Sequence, residues 1–411
     1  MASIVKKTNS NRILFYVFIL AVFVDAANGI LQKKVGITTP IGIMYRGTLF
    51  YYFFLYLFKS KYKTLIGLLI FLVLICLFCW VAFYNAIVPK EIEYLIRYSY
   101  FFVFLNFFCL KRNCFDAESV YKHILIYGLL ISTIIIFCYF TGFGIKSYGE
   151  GEYGWGEKGL FIATNDIGLT IICSLICSCI YQQLYRRNKW TLLCIVIISA
   201  GGILVGSRVC FGFIPFTLFL FALYKGKKTR NKFIVLLAGA LIIYVVVYVG
   251  IQIYSMLDNY ALAKLTKEGF ESARTILTDE AKKHISNFDV LSMCIGEGAY
   301  NLHLIVGKGL GIDEERAVEA DYYEIIGSYG YLLGGIVLLS YLKIAYNSVK
   351  HFFMRVCFES FEFAYLCLSF IVIAFFAGHA VTNMMATPIL AYVASRLLQP
   401  QRKIVYTGQN E

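Results

Sequence analysis

The sequence predicts an all-α, polytopic integral membrane protein, and three observations carry this prediction. Of its 411 residues, 59% are hydrophobic and 15% are charged, with a mean hydropathy of +0.70, whereas soluble domains are about 45–50% apolar and about 25% charged. The apolar residues fall in runs near the length that crosses a hydrocarbon core of about 30 Å. Only 5 prolines are present, which argues against disordered and fibrous classes.

We expect about twelve transmembrane helices, one for each apolar run, in a single membrane domain spanning residues 1–411. The runs are roughly 12–30, 41–58, 64–88, 92–110, 123–142, 160–181, 190–206, 209–224, 232–254, 326–348, 361–377 and 379–397.

The net charge of +13 is mainly a signal of orientation. Lys and Arg collect in cytoplasmic loops. A cytoplasmic N-terminus places 23 basic and 5 acidic residues on that side, a net of +18, against −5 for the rest of the chain. Both termini are then cytoplasmic in this multi-pass protein. No basic domain remains to bind a nucleic acid.

Two loops are long, and both are expected on the outer side. Residues 143–160 are rich in Gly and aromatic residues, which predicts irregular backbone. Residues 255–325 form a large loop in which the stretch 257–290 has helical spacing. A long structured loop on one face is where a membrane enzyme places its chemistry, and a simple channel needs no such cover.

Four basic residues are candidates for binding an anion on the outer side. Arg208 follows Gly206-Ser207 at the end of the seventh run, and an arginine at this depth either lines a polar site or reaches the lipid interface. Its planar guanidinium suits bidentate contact with phosphate oxygens. Arg274 supplies a second cation or belongs to a solvated helix face. Lys308 and Arg316 are candidates of the same type.

Glycines surround one of these lysines. The string Gly307-Lys308-Gly309-Leu310-Gly311 predicts a flexible turn whose backbone N–H groups face an anion. The spacing of a Walker motif is absent.

Acidic residues precede the tenth run. Glu319 and Asp321 are candidates for a general base, since a carboxylate in a dry site is tuned for this role. Tyr323 shares a helical face with Glu319 if the helix already runs there. The alternative is a solvated helix N-terminus, where acids interact favourably with the helix dipole.

Other polar residues lie near the expected outer ends of the runs. Asn165 and Asp166 open the sixth run and either cap its helix or contact sugar hydroxyls. Further polar residues, each typical of an interhelical hydrogen bond, are Asp25, Asn28, His379 and Asn383.

The order and spacing of these motifs resemble the O-antigen polymerase and ligase superfamily over roughly residues 190–345. The resemblance rests on Gly206-Ser207-Arg208, the long outer loop with a further Arg, the string 307–311, and the run Glu319-Ala320-Asp321 followed by Tyr329-Gly330 and Gly334. In the ligase branch a His–Asn pair precedes the glycine pattern. Glu319 stands where that His would be, so the chain looks more like a Wzy-type polymerase.

The resemblance implies an activity, a location and a set of partners. The fold would be similar to the multi-span, GT-C-like glycosyltransferases, in the bacterial inner (cytoplasmic) membrane. At the periplasmic face, the protein would polymerise undecaprenyl-diphosphate-linked oligosaccharides into O-antigen or capsule, without a metal or cofactor. Membrane lipid and a chain-length regulator protein would be its other partners.

The resemblance also implies roles for the candidate residues. Arg208 and Arg274, with Lys308 and Arg316, would hold the diphosphate. Glu319 or Asp321 would deprotonate or orient the acceptor hydroxyl. The sugar would be contacted by Asn165, Asp166 and Tyr323.

Three alternatives stay open. A ligase would transfer the glycan to lipid A core. A lipid-linked oligosaccharide flippase also fits twelve spans. The long outer loop argues against it, since alternating-access carriers place polar residues at the membrane midplane, and few charges are visible inside the runs. A structural or sensor membrane protein would not need Arg208 at its depth.

Overall fold

The computed structural model describes residues 11–37, 39–59, 63–84, 86–148, 155–228, 267–309, 311, 314–318, 320–355, 357–376 and 378–398. For residues 65, 155, 224–228, 267–275 and 376 only the backbone is described. The described chain is mostly helical.

Eight helices and one hairpin make up the first part of the chain. They are α1 (Asn11–Val35), α2 (Ile41–Phe54), α3 (Lys63–Tyr84), α4 (Val88–Lys111), α5 (Ala117–Thr141), β1 (Lys146–Tyr148), β2 (Trp155–Glu157), α6 (Thr164–Leu184), α7 (Lys189–Leu204) and α8 (Arg208–Lys228). Within α1 the hydrogen bonding is π-helical over Phe15–Leu20 and Leu31–Val35.

Six further helices follow the segment that the structure does not describe. They are α9 (Lys267–Ser286), α10 (Val290–Ile295), α11 (Ala299–Gly309), α12 (Asp321–Met354), α13 (Phe358–Phe376) and α14 (Thr387–Leu397).

Seven helices of the described chain are long and apolar enough to cross a membrane. They include α1, α3, α5, α6, α12 and α13, and the seventh is α2 with the turns that follow it. Two shorter apolar helices cover 189–204 and 208–223. The predicted run 232–254 lies outside the described residues, so the count of twelve spans stays a prediction.

Contacts between helix ends divide the bundle into two faces. On one, Gly29 of α1 packs against the Leu160 carbonyl, and Tyr84 of α3 contacts Ser292 of α10. We call this the loop face, because the hairpin and α9–α11 lie there. On the opposite face, Arg186 after α6 pairs with Glu118 of α5 at 3.0 Å. We call this the basic face.

Helix α6 forms the centre of the bundle. Its apolar window is 94% buried, whereas that of α3 is 11% buried, so α3 presents its apolar side chains outward. Helix α5 packs against α6 and α7, and α14 packs along α4. The first turn of α6, which carries Asn165 and Asp166, therefore lies at the middle of the loop face.

The prediction of irregular backbone over 143–160 is wrong in part: residues 146–148 and 155–157 form strands, whereas 143–145 and 158–160 are irregular. Two antiparallel strands pair Lys146 with Glu157 and Tyr148 with Trp155. The pairing continues outside the strands, since the Ile145 N–H donates to the Gly159 carbonyl at 2.8 Å. These backbone hydrogen bonds outweigh the conformational freedom of the glycines.

The predicted glycine turn at 307–311 is also wrong in part. Helix α11 continues through Gly309, so Gly307 and Lys308 are helical, and only Gly311 has the positive φ of a turn (73°). Likewise, α12 begins at Asp321 after an extended Ala320. The described helix therefore starts after position 319, and the predicted pairing of Glu319 with Tyr323 lies outside the described residues because Glu319 is not among them.

Candidate functional site

A buried ion pair joins the first two helices near the loop face. Both carboxylate oxygens of Asp25 on α1 lie 2.7 Å from Arg46 Nη2 on α2. The pair is largely shielded from solvent and interacts electrostatically with Tyr100 and Tyr127. Charged side chains at membrane depth are costly unless they pair or face a polar interior. The Asp25–Arg46 pair meets both conditions.

A third helix contributes Asp166, in the first turn of α6. The ionisable groups that act electrostatically on its carboxylate include His379, Arg46, Arg97 and Asp25. Asp166 lies in the first turn of α6, where the helix dipole interacts favourably with a negative charge. We call these five residues, Asp25, Arg46, Arg97, Asp166 and His379, the charged cluster.

Arg97 of α4 contributes a guanidinium to the charged cluster, and only part of this group is paired. Its Nη2 pairs with Glu93 one turn earlier at 2.5 Å. Its Nε is buried and has no hydrogen-bond partner among the described residues. A buried donor without a partner is costly, so this edge of the guanidinium is suited to an anionic ligand.

His379 is held in an irregular segment between α13 and α14. This segment, residues 378–386, turns sharply, with positive φ at Gly378 (66°) and at His379 (58°). A left-handed histidine is uncommon. Non-helical backbone at membrane depth is tolerated only where it is buried in protein or lines a cavity. The segment is therefore an expected place for a functional group.

Two side chains satisfy the backbone of that segment. Asp321 Oδ2 accepts the N–H groups of Ala380 and Val381 at 2.8 and 2.9 Å. Asn383 Oδ1 accepts those of Met385 and Ala386, both at 2.9 Å. The Asn383 amide also donates to the Asp166 carbonyl at 3.0 Å, which ties the segment to α6.

The geometry gives Asp321 an anchoring role. Its side chain is buried at the start of α12, and one oxygen accepts two hydrogen bonds. Its charge acts together with those of Glu324 and His379. Whether Asp321 also removes a proton, as predicted, stays open.

Glu324 adds another buried carboxylate one turn along α12. Its Oε1 accepts the Tyr98 hydroxyl at 2.6 Å and lies 3.3 Å from His303 Nε2. Its Oε2 is buried and has no hydrogen-bond partner among the described residues. His379 also interacts electrostatically with this carboxylate, so two histidines, His303 and His379, act on Glu324.

Helices α9–α11 are anchored to the membrane helices beside this site. Trp80 Nε1 of α3 donates to the carbonyls of Ile295 and Gly296, at 3.1 and 3.2 Å. The buried Glu91 of α4 accepts the N–H groups of Ala299 and Tyr300 at 3.0 and 2.8 Å, which stabilises the N-terminus of α11. The long loop therefore carries a structured unit, as the stretch 257–290 predicted in part.

Arg208 lies close to the first turns of α6. It begins α8, half-buried, after a turn in which Ser207 Oγ caps the helix by accepting the Cys210 N–H at 3.2 Å. A Cβ on Gly168 of α6 would lie 3.1 Å from Ser207 Oγ. The structure therefore brings Arg208 and Asp166 to the same end of two adjacent helices.

The remaining predicted residues are more dispersed. Lys308 and Arg316 are exposed, and the Arg316 N–H donates to the His303 carbonyl at 2.9 Å. Tyr323 packs against the apolar side chains that join α9, α11 and α12. Asn165 is half-buried beside Asp166. Glu319 and the side chain of Arg274 lie outside the described residues.

Sequence reasoning missed Arg46, Arg97 and Glu324. Arg46 and Arg97 fall inside the predicted runs 41–58 and 92–110, where a charged residue is itself a signal of function. The predicted runs therefore contain charged residues that the sequence interpretation did not take into account.

In the described part of the chain, no group of three or more His, Cys, Asp or Glu side chains is arranged to hold a metal ion. No protein family, curated protein or solved structure matches this chain. The fold and the site define a mostly helical membrane protein with charged residues gathered between its helices at one face.

Proposed function

We propose that this protein polymerises undecaprenyl-diphosphate-linked oligosaccharide units by glycosyl transfer at the periplasmic face of a bacterial inner membrane. The observation that carries the proposal is the charged cluster. Arg46, Arg97, Asp166 and His379 converge there from three helices and an irregular segment. Cations suit a diphosphate, and carboxylates with a histidine suit a sugar hydroxyl that must lose a proton.

The reaction requires that the site stabilises the leaving group and accepts a proton. The acceptor hydroxyl oxygen forms a bond to the anomeric carbon of the donor unit, while the bond from that carbon to the diphosphate oxygen breaks. Negative charge develops on the leaving diphosphate, and fixed cations stabilise it. The hydroxyl proton passes to a base within hydrogen-bond reach.

The arrangement supports a division of roles among the side chains. Arg97, with its unpartnered Nε, and Arg208, at the adjacent helix start, would bind the diphosphate, with Arg46 behind them. Asp166, on which Arg46, Arg97 and His379 act electrostatically, would orient sugar hydroxyls. Arg274 keeps its predicted role as a further cation.

We assign the role of general base, which accepts the proton of the acceptor hydroxyl, to His379 rather than to Glu319 or Asp321. The carboxylates of Asp166, Asp321 and Glu324 all act on this histidine, so they would stabilise the imidazolium that forms. Asp321 would then serve the base indirectly, by holding the segment that carries it.

Deletion of the gene tests the proposal directly. Without a polymerase, lipopolysaccharide separated on a gel should carry a single repeat unit on its core. A ligase deletion should leave no repeat unit at all. Long chains that persist unchanged after deletion would contradict both enzymatic functions.

A lipid-linked oligosaccharide flippase is a second candidate, favoured by the Asp25–Arg46 pair between membrane helices. Polar groups between helices are where carriers bind substrate. A flippase deletion should trap lipid-linked units at the inner leaflet, whereas a polymerase deletion should leave single units reaching the outer leaflet. Accessibility of the trapped units to an impermeant sugar-oxidising reagent separates the two.

A further inference from the structure

A series of polar contacts runs from the surface of the loop face to Glu324: three are hydrogen bonds, and the last, between His303 and Glu324, is a close ion-pair contact without a hydrogen bond. Lys90 Nζ contacts Glu315 Oε1 at 2.5 Å, and the Tyr94 hydroxyl donates to Glu315 Oε2 at 3.0 Å. Tyr94 also lies 3.0 Å from His303 Nδ1. His303 Nε2 then lies 3.3 Å from Glu324 Oε1.

Exposure falls steadily along this series. The Glu315 side chain is 29% exposed, whereas the side chains of His303 and Glu324 are each 2% exposed. Tyr94 connects the two environments from α4. The inner end couples electrostatically to His379 and Asp321, so the series ends beside the charged cluster.

The chemistry of the members suits proton transfer. A histidine has two ring nitrogens, one of which donates while the other accepts, and here they face different partners. A tyrosine hydroxyl both donates and accepts. Two carboxylates terminate the series, one buried and one in contact with solvent.

We propose that Glu324, His303, Tyr94 and Glu315 form a proton relay between the charged cluster and the solvent at the loop face. A proton that reaches Glu324 passes to His303 Nε2. The imidazolium releases its Nδ1 proton to Tyr94 as the Tyr94 hydroxyl proton moves to Glu315, which releases it to water.

Only O–H and N–H bonds change in these steps, and one proton leaves for each proton that enters. His303 ends as the other tautomer, so the ring must return to its first tautomer before the next transfer. Neither an oxidant nor a reductant is required. Lys90 stays charged and holds Glu315 in position throughout.

The relay rests on the proposed function for its proton source, because glycosyl transfer releases one proton for each bond formed. Its existence is nevertheless testable without that activity. The chain has only 5 histidines, so selective ¹⁵N labelling of histidine gives few ring signals in lipid nanodiscs, and His303→Gln assigns its own signal by loss.

Exchange of the His303 ring protons with water is the decisive measurement. We expect fast exchange in the unmodified protein and a loss of fast exchange in Tyr94→Phe and in Glu315→Gln. Tyr84→Phe is the matched control. The Tyr84 hydroxyl contacts Ser292 of α10, so its removal weakens the packing of α10 but does not change a member of the series. Unchanged exchange in Tyr94→Phe and Glu315→Gln, or equal slowing in Tyr84→Phe, overturns the relay.

Polymerisation assays then separate the two proposals. Tyr94→Phe should slow chain extension by about 100-fold, the scale of a lost acid–base contribution, with an altered pH profile and normal protein levels. If the unmodified protein does not polymerise but His303 exchanges through Tyr94, the proposed function fails and the relay stands. Normal chain extension with slowed exchange would show that the relay does not serve the reaction.

Discussion

At the scale of single residues, the ion pair of Asp25 and Arg46 is both a structural cost and a functional opportunity. Removing one member leaves the other charge buried without its partner, which costs on the order of 3 kcal/mol. Replacing both by apolar residues of similar volume is often neutral. Single and double substitutions of the pair therefore distinguish an effect on stability from an effect on activity.

We predict that Asp25→Ala and Arg46→Ala each lower thermal stability in detergent, whereas the double variant Asp25→Leu with Arg46→Met recovers most of it. Polymerisation should be absent in all three, because Arg46 belongs to the proposed diphosphate site and Asp25 holds its guanidinium in position. Thermal unfolding and chain extension measured on the same preparations check this. An active double variant would make the pair purely structural.

Asp321 allows the anchoring role to be distinguished from that of a base. Asparagine keeps a carbonyl oxygen that can accept the Ala380 and Val381 N–H groups, but it cannot take up a proton. We predict that Asp321→Asn retains much of the activity and stability, whereas Asp321→Ala loses both. If Asp321→Asn is as stable as the unmodified protein yet inactive, Asp321 is the base after all.

At the scale of elements, glycines set how closely α10 approaches α12. Gly330 has φ 67° and ψ −177° within α12, a region open essentially only to glycine. A Cβ there would lie 2.6 Å from the Cys294 carbonyl carbon and from the Gly296 nitrogen. This close approach lets Trp80 reach the carbonyls at the end of α10.

We predict that Gly330→Ala partly undocks α10, at a cost of about 1–3 kcal/mol from the backbone conformation alone. Gly335→Ala in the same helix is the control, because a Cβ there meets no atom within 4 Å, and it should be neutral or stabilise by up to about 1 kcal/mol. Trypsin cleavage within 267–309 and the fluorescence of Trp80 report the docking. Equal protease resistance in both variants would contradict this account.

The Lys90–Glu315 contact makes the docking of residues 314–318 depend on pH. Burial opposes ionisation of Glu315, but hydrogen bonds from Lys90 and Tyr94 outweigh it and leave the pKa of Glu315 below its ordinary value. The hydrogen bond to Glu315 raises the pKa of Lys90. Stabilisation from Glu315 is thus present above its unfolded pKa and lost as the pH falls through the lower folded value.

The Lys90 contribution has the opposite sign, present below its unfolded pKa and lost at alkaline pH. We predict that the protection of the α11 amides, measured as the intrinsic exchange rate divided by the observed rate, decreases below about pH 4.5 in the unmodified protein. Glu315→Gln should exchange faster at neutral pH and show little of this acid dependence. An identical acid dependence in the two proteins would exclude the pair as its source.

Local patterns predicted the helices far better than they predicted the site. Apolar runs placed most membrane helices because one local property, hydrophobicity, determines them. The charged cluster joins residues 25, 46, 97, 166 and 379, and no spacing in the sequence links them. The αL conformation of His379 likewise depends on Asp321, far away in the chain. The hairpin at 146–157 formed because long-range packing selected one conformation of a flexible stretch.

At the scale of the whole molecule, the orientation of the bundle connects the charge pattern to the proposed reaction. The described contacts place Glu118 and Arg186 at one end and Asp166 and Asp321 at the other. The excess of Lys and Arg predicts that the first end is cytoplasmic. Only in that orientation does the charged cluster face units that have already crossed the membrane.

Two native cysteines test the orientation without the introduction of new labelling sites. Of the 13 cysteines, only Cys294 and Cys357 are exposed. Cys294 lies in the last turn of α10 on the loop face, and Cys357 lies between α12 and α13 on the basic face. We predict that a membrane-impermeant maleimide, applied to cells with a permeabilised outer membrane, labels Cys294 and spares Cys357. Disruption of the inner membrane should then make Cys357 reactive, with Cys294→Ser and Cys357→Ser assigning the signals. Labelling of Cys357 alone in intact inner membranes would show that the bundle has the opposite orientation. The charged cluster would then lie on the cytoplasmic side, which would exclude polymerisation at the periplasmic face.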